Sequence, residues 1–256
     1  MSKPSKRPGA RLSPEQIVER LVTAATQLLA EEGPSEIKAR SVAETAQVST
    51  IALYYHLGGM PELFQAVVDK GFRDLEDAFV AVASSEDPVT DLFATALTTR
   101  RIAQNNPHLY DLMFGLSTRG SYRPLHPPSG RGSLRSEAFQ AAYAHLVKAC
   151  ERLLDGRRIR PGQNPEIVAF QLWSGVHGFV KLELADYLIQ FSDPVRQVLL
   201  PTTVNLLVGL GDDPERCRAS HDAALATLGT DTRQAPDRLA TAGAAAKDHR
   251  KRRASR

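Results

Sequence analysis

Residues 40–57 read RSVAETAQVSTIALYYHL, and their spacing decides the fold at this end of the chain. Val42, Ala43 and Ala46 fall on one side of a short helix predicted over 39–46. Val48, Ala52 and Leu53 fall on one side of a second, over 49–57. Ala43 is small, which lets the two helices approach closely, and Ser49 is the natural N-cap of the second. Two short helices joined by a turn of three or four residues make a helix-turn-helix. Thr50, Ile51, Tyr54 and Tyr55 are left pointing outward. Thr50 shares a face with Tyr54, and Ile51 with Tyr55.

Exposed aromatic residues are poor choices for a solvated face but suit one pressed to DNA. A tyrosine hydroxyl reaches phosphate oxygens while its ring packs on sugars or a thymine methyl. Thr50 and Ile51, near the helix N-terminus, are placed to touch base edges. Ser49 lies beside the free N–H groups there, which form a phosphate site. Lys38 and Arg40, at the start of the first helix, are candidate phosphate clamps. His56 admits two readings, a structural histidine beneath the helix or a phosphate contact.

Outward from this segment the punctuation is helical. Ser13-Pro14-Glu15-Gln16 predicts an N-cap, a proline at the first helical position and a capping box. Ile17, Leu21, Ala24, Ala25, Leu28 and Leu29 then repeat at helical spacing until Gly33-Pro34. Gly58-Gly59 breaks the chain, and Pro61 opens a long helix through Phe79. Asp87-Pro88, Asn106-Pro107, Asn164-Pro165 and Asp193-Pro194 each pair a capping residue with proline before an apolar-periodic stretch, so the second half is also expected to be helical. A further helix is expected over about 133–154. Residues 117–132, rich in Gly, Pro, Ser and Arg, read as a mobile loop. The stretch from Pro165 to about Gln190 is apolar nearly all round, so it must be buried on more than one side; its own domain can cover one face and a partner subunit another. Pro201 is expected to kink or end the helix that follows.

The fold class is therefore all-α. A basic flexible arm is expected over 1–12, a helix-turn-helix domain over 13–60, and a second helical domain over 61–211. A short helix from Pro214 is possible within a mostly disordered tail over 212–256.

Composition narrows the function classes. Of 256 residues 42% are apolar, a globular value, and the net charge of +3 is too small to name a partner. Basic residues gather at both ends, as solvated tails or as nonspecific phosphate attraction. Cys150 and Cys217 are far apart, which supports neither a disulfide framework nor a cysteine metal site. The first ten residues lack the apolar run of a signal peptide, and no stretch approaches the roughly 20 apolar residues of a membrane helix. A cytoplasmic protein without membrane, metal or cofactor is expected. No catalytic residues are assigned. Ser35-Glu36-Ile37-Lys38 matches a Ser-x-x-Lys pattern that arises by chance, and neither a phosphate loop nor a metal-binding histidine pair occurs.

The run VAETAQVSTIALYYHL resembles the DNA-binding segment of TetR-family regulators. The matching residues are Val42-Ala43, Ala46, Val48-Ser49 and Leu53-Tyr54-Tyr55-His56, with Glu62-Leu63 at the start of the family's fourth helix. The resemblance spans about residues 13–69. Three positions depart from it: Gln47 for a turn glycine, Leu57 for phenylalanine, and Met60 for a lysine that contacts phosphate. A second likeness lies in Trp173-Ser174-Gly175-Val176-His177-Gly178 with Leu182-Glu183-Leu184, and in Asn106-Pro107-His108-Leu109-Tyr110-Asp111-Leu112-Met113-Phe114. These are similar to the Trp…His-Gly type of C-terminal domain. The resemblance implies that 61–211 is a ligand-binding and dimerisation domain, with a homodimer joined by a four-helix bundle, a double-stranded DNA operator of palindromic sequence, and a small-molecule effector of partly apolar character. Such a protein is a repressor more often than an activator. Phe93, Leu97, Tyr110, Met113, Phe114, Trp173 and His177 are candidate pocket residues, although core packing explains them equally well. The alternative is a helical ligand-binding or scaffold protein whose degenerate helix-turn-helix no longer binds DNA, a reading that Met60 and Gln47 motivate.

Overall fold

Helix α1 (Pro14–Glu32) begins where its caps dictate. The Ser13 hydroxyl accepts from the Gln16 N–H at 3.3 Å, and the Gln16 side chain accepts from the Ser13 N–H at 2.9 Å. Gly33 ends it at φ +83, in the left-handed region that favours glycine. The computed structural model describes residues 12–82, 84–114 and 136–227. Beyond a single 3₁₀ turn come α2 (Ala39–Thr45), α3 (Thr50–Leu57), α4 (Met60–Val80), α5 (Pro88–Asn105) and α6 (Pro107–Phe114). They are followed by α7 (Glu137–Asp155), α8 (Pro165–Leu184), α9 (Leu200–Leu210) and α10 (Pro214–Thr227). The fold is all-helical: an N-terminal helix-turn-helix unit and a larger helical body, with no strand among the described residues. Asp87 and Asn164 cap α5 and α8 through their side chains.

Three departures from expectation have local causes. Helix α8 stops at Leu184, not near Gln190, and Asp186 turns the chain at φ +61. Before Pro201 the chain widens into a π turn over Val195–Leu199. Pro201 follows it directly, and the wider turn makes room for a ring that would clash with the preceding turn of a regular helix. The body also does not end at 211. Cys217, Ser220, His221, Ala224 and Leu225 form one buried stripe of α10 against α5 and α9. The expected arm, the loop over 117–132 and the end of the tail lie outside the described residues, apart from Leu12.

Helix α4 joins the two parts. Its Leu63 and Phe64 pack beneath α1–α3, beside Leu21, Leu29 and Leu53. Farther along, Phe72 meets Phe114 and Phe139 edge-on, with ring centroids 5.3 and 5.1 Å away. Each such fully buried side chain stabilises the fold by roughly 1.5–3 kcal/mol. A second apolar cluster joins Val89, Cys150, Leu153, Val168 and Leu207, and a third joins Phe93, Phe179, Leu199 and Ala224. Among the described residues no helix is long and apolar enough to cross a membrane.

Candidate nucleic-acid interface and ligand cavity

The hairpin of α2 and α3 is held from inside. Val42, Ala43, Ala46 and Leu53 are buried, and the turn closes through Val48 N–H to the Ala43 carbonyl at 2.9 Å. Gln47 sits at φ +56, a backbone state that favours the glycine it replaces. Ser49 caps α3, its hydroxyl oxygen accepting from the Ala52 N–H at 3.1 Å, which leaves its own proton for an outside acceptor.

The outward face of α3 is bare. Ile51 is 77% exposed, Tyr54 54% and Tyr55 82%, whereas Leu53 between them is fully buried. Thr50 is exposed, and half-buried His56 meets the Tyr55 ring edge-on at 4.9 Å. Arg40 is exposed and makes no ion pair among the described residues. Lys38, the residue before α2, holds Glu36 at 3.3 Å in an exposed pair of the weak kind that exchanges readily. Of the eight residues predicted at this interface, seven are exposed and His56 is half-buried. Met60 instead packs against the N-terminal core. Close by, the Glu62 side chain folds back to within 3.5 Å of where side chains on Gly58 and Gly59 would begin. An acidic group therefore stands at the start of α4, favourable to the helix dipole.

A cavity lies among α5, α8, α9 and α10, with Phe79 of α4 and Leu146 of α7 in its wall. Its volume is about 40 Å³. Of the predicted pocket residues, Phe93, Trp173 and His177 line it. Leu97, Tyr110, Met113 and Phe114 do not. Leu97 packs in the third cluster, and Met113 presses against Gly71 of α4, where a Cβ would stand 2.6 Å from its sulfur. Phe114 and Tyr110 back the wall. The Tyr110 hydroxyl meets His177 Nδ1, and His177 stacks on Trp173 with centroids 4.6 Å apart. Burial, with Lys181 nearby, pushes the His177 imidazole down to about 3, so it is neutral at physiological pH. Sequence reading missed Thr95, Thr99, Thr203 and His221 of the lining. The apolar stripe of α10 at 217, 221, 224 and 225 was the available signal for His221. The threonines carried none, since buried and exposed threonines read alike. Among the described residues no cluster of His, Cys, Asp or Glu is placed to hold a metal.

Residues 21–67 match the profile described as "Bacterial regulatory proteins, tetR family", and residues 92–202 match "Tetracyclin repressor-like, C-terminal domain". The chain belongs to the TetR family. It is a DNA-binding transcriptional regulator, and regulators of the TetR family are not enzymes. Solved structures agree with a TetR fold. A protein of unknown function from Rhodococcus sp. RHA1 superposes with a TM-score of 0.64 at 22% identity, over 81% of this chain and 100% of that one. RolR without ligand gives 0.58 at 14%, over 80% and 96%, and RolR with resorcinol gives 0.55 at 16%, over 81% and 94%. The fatty acid degradation regulator FadR from Bacillus halodurans gives 0.57 at 13%, over 81% and 100%. At these identities the likeness is one of fold. No curated protein sequence matches the chain significantly.

Proposed function

We propose that this chain is a cytoplasmic, effector-responsive repressor that binds a palindromic operator as a homodimer. The observation that carries the reading is the bare Ile51, Tyr54 and Tyr55 on α3, beside a fully buried Leu53. In this reading α3 lies in the major groove, with Thr50 and Ile51 on base edges. Tyr54, Tyr55 and Ser49 hold phosphates and sugars, while Lys38 and Arg40 clamp the flanking backbone. His56 orients Tyr55, and its phosphate contact is secondary. The DNA-binding unit covers 13–60, and the effector and dimer unit runs from 61 to 227.

Ile167, Phe170 and Leu182 leave an apolar strip of α8 exposed in the single subunit. Pairing α8 and α9 with their copies would cover it and place two α3 helices on one face, which suits a two-fold symmetric site. Trp173 stacked on His177 supports assigning the C-terminal domain to the Trp…His-Gly type. The effector occupies the cavity those two residues line, as a partly apolar molecule. To release DNA it must bind the two conformations with affinities differing by a few kcal/mol.

Selection of bound duplexes from a random pool by the full-length protein tests the reading. Enrichment of an inverted repeat is expected. Enrichment of a single unrepeated motif, or of none, contradicts it.

A further inference from the structure

The polar groups of the cavity are richer in acceptors than in donors, and from them we infer that the effector is a neutral, one-ring aromatic alcohol, a phenol. The inference rests on reading that cavity as the effector site. Thr95 and Thr99 line it from α5, and both have spent their protons. Thr95 donates to the Asp91 carbonyl at 2.9 Å and Thr99 to the Thr95 carbonyl at 3.0 Å. What they turn to any neighbour is lone pairs.

His221 behaves in the same way. Its Nδ1 lies 2.7 Å from the Cys217 carbonyl, which can only accept, so Nδ1 carries the proton and Nε2 is an acceptor. Nε2 is 2.9 Å from the Thr203 hydroxyl, whose single proton also has the carbonyls of Leu199 and Leu200 within 3.1 Å. Three acceptors compete for one proton, and a donor from outside relieves the shortage. His177, with Nδ1 engaged by Tyr110, has Nε2 left, and a hydroxyl serves either tautomer of a neutral ring. The cavity thus asks for a hydrogen-bond donor.

Charge and size narrow the class further. None of the lining residues is Lys, Arg, Asp or Glu, and both lining histidines are held neutral. A carboxylate or phosphate entering would be buried without a counter-charge among acceptor atoms. Neutral ethers and lactones bring acceptors alone and leave the shortage in place. The aromatic walls Trp173 and Phe93 suit a ring. The cavity volume of about 40 Å³ is below the roughly 150 Å³ of an apolar cavity that holds benzene. Even one ring therefore enters only by displacing the lining, which ties occupancy to helix position.

Calorimetric titration of the full-length protein with phenol, methoxybenzene and benzoate tests this, with operator release measured in parallel by anisotropy. Phenol is expected to bind at least about tenfold tighter than methoxybenzene, the same ring without a donor, and benzoate not measurably. Thr99→Val, which keeps side-chain shape and removes an acceptor, should narrow the gap between phenol and methoxybenzene. Ala96→Leu, which fills the cavity, should abolish phenol binding. Equal affinity for phenol and methoxybenzene, tighter benzoate binding, or no binding by any of the three overturns the phenol assignment. If all three bind and Ala96→Leu abolishes every one, the cavity stands as the effector site and its assigned class falls. If binding ignores Ala96→Leu, the cavity reading falls with it. Phenol binding without operator release supports the ligand class and counts against the repressor.

Discussion

Nε and Nη2 of Arg158 each donate to the Asp212 carboxylate at 2.8 Å, in a place closed to solvent. Arg158 also pairs with Asp87 and donates to the Ser220 hydroxyl at 3.0 Å. One side chain therefore ties the segment after α7 to the cap of α5, the end of α9 and α10. Removing one member strands a buried charge. Asp212→Ala is expected to cost about 3 kcal/mol of stability. The double variant Arg158→Met, Asp212→Leu should recover much of that, because a packed apolar pair needs no partner. Urea unfolding of the wild type and both variants checks this.

The buried histidines make the fold acid-sensitive. Burial holds His177 and His221 below the ordinary imidazole value. Lys181 reinforces this at His177, and Arg158 does at His221 against the opposing pull of the Cys217 carbonyl and Asp212. Because the unfolded chain takes up these protons first, stability falls as pH drops below about 6.5. Asp87 adds a later loss. Burial opposes its ionisation, but bonds from Ser220 and Val89 and the charge of Arg158 outweigh it and keep its pKa depressed. Its contribution is present above the ordinary carboxylate range and is lost as pH falls through it, below about pH 4. Thermal melts from pH 7 to 4 should show a falling midpoint, with a shallower fall for His177→Gln. An unchanged slope in that variant would count against a buried neutral His177.

Gln47 stores strain in the helix-turn-helix. A side chain at φ +56 costs about 1 kcal/mol, while glycine there loses some of that gain to its freer unfolded state. Gln47→Gly is expected to stabilise the protein by about 0.5 kcal/mol, read as a higher urea midpoint at constant m-value. Destabilisation would show that the Gln47 side chain contributes more than its backbone costs.

Much of the N-terminal half was legible because its signals are local. Ser13, Ser49 and Gly33 bound helices by side-chain and backbone chemistry within four residues, and the buried stripe of α2 and α3 follows helical spacing. Arg158 was not legible. It follows Gly156 and precedes Pro161, where the chain reads as a loop, and the partners that justify its burial lie 54 and 71 positions away in sequence. His221 was obscured by the polar faces of α10, and the end of α8 by a left-handed Asp186 that carries no glycine or proline mark. Tyr110 and Phe114 were legible as an aromatic group near the cavity, but not as its backing rather than its lining.

Met60 offers a gain-of-contact test. Its side chain leans on the N-terminal core where the family resemblance places a phosphate-binding lysine. A lysine stem can keep that packing while its ammonium reaches outward. Met60→Lys should tighten operator binding and steepen its salt dependence by about one phosphate per subunit, so about two per dimer. An unchanged slope would place the start of α4 away from the DNA backbone.

The bare tyrosines of α3 are tested most directly by fluorescence anisotropy of a selected operator duplex across a salt series. The wild type is predicted to bind specifically, with log affinity falling linearly with log salt. Tyr54→Ala with Tyr55→Ala should weaken specific binding by about 2 kcal/mol or more, with circular dichroism and the urea midpoint close to wild type, since both side chains are exposed. A folded double variant that binds the operator as tightly as the wild type would contradict the assignment of α3 as the reading helix.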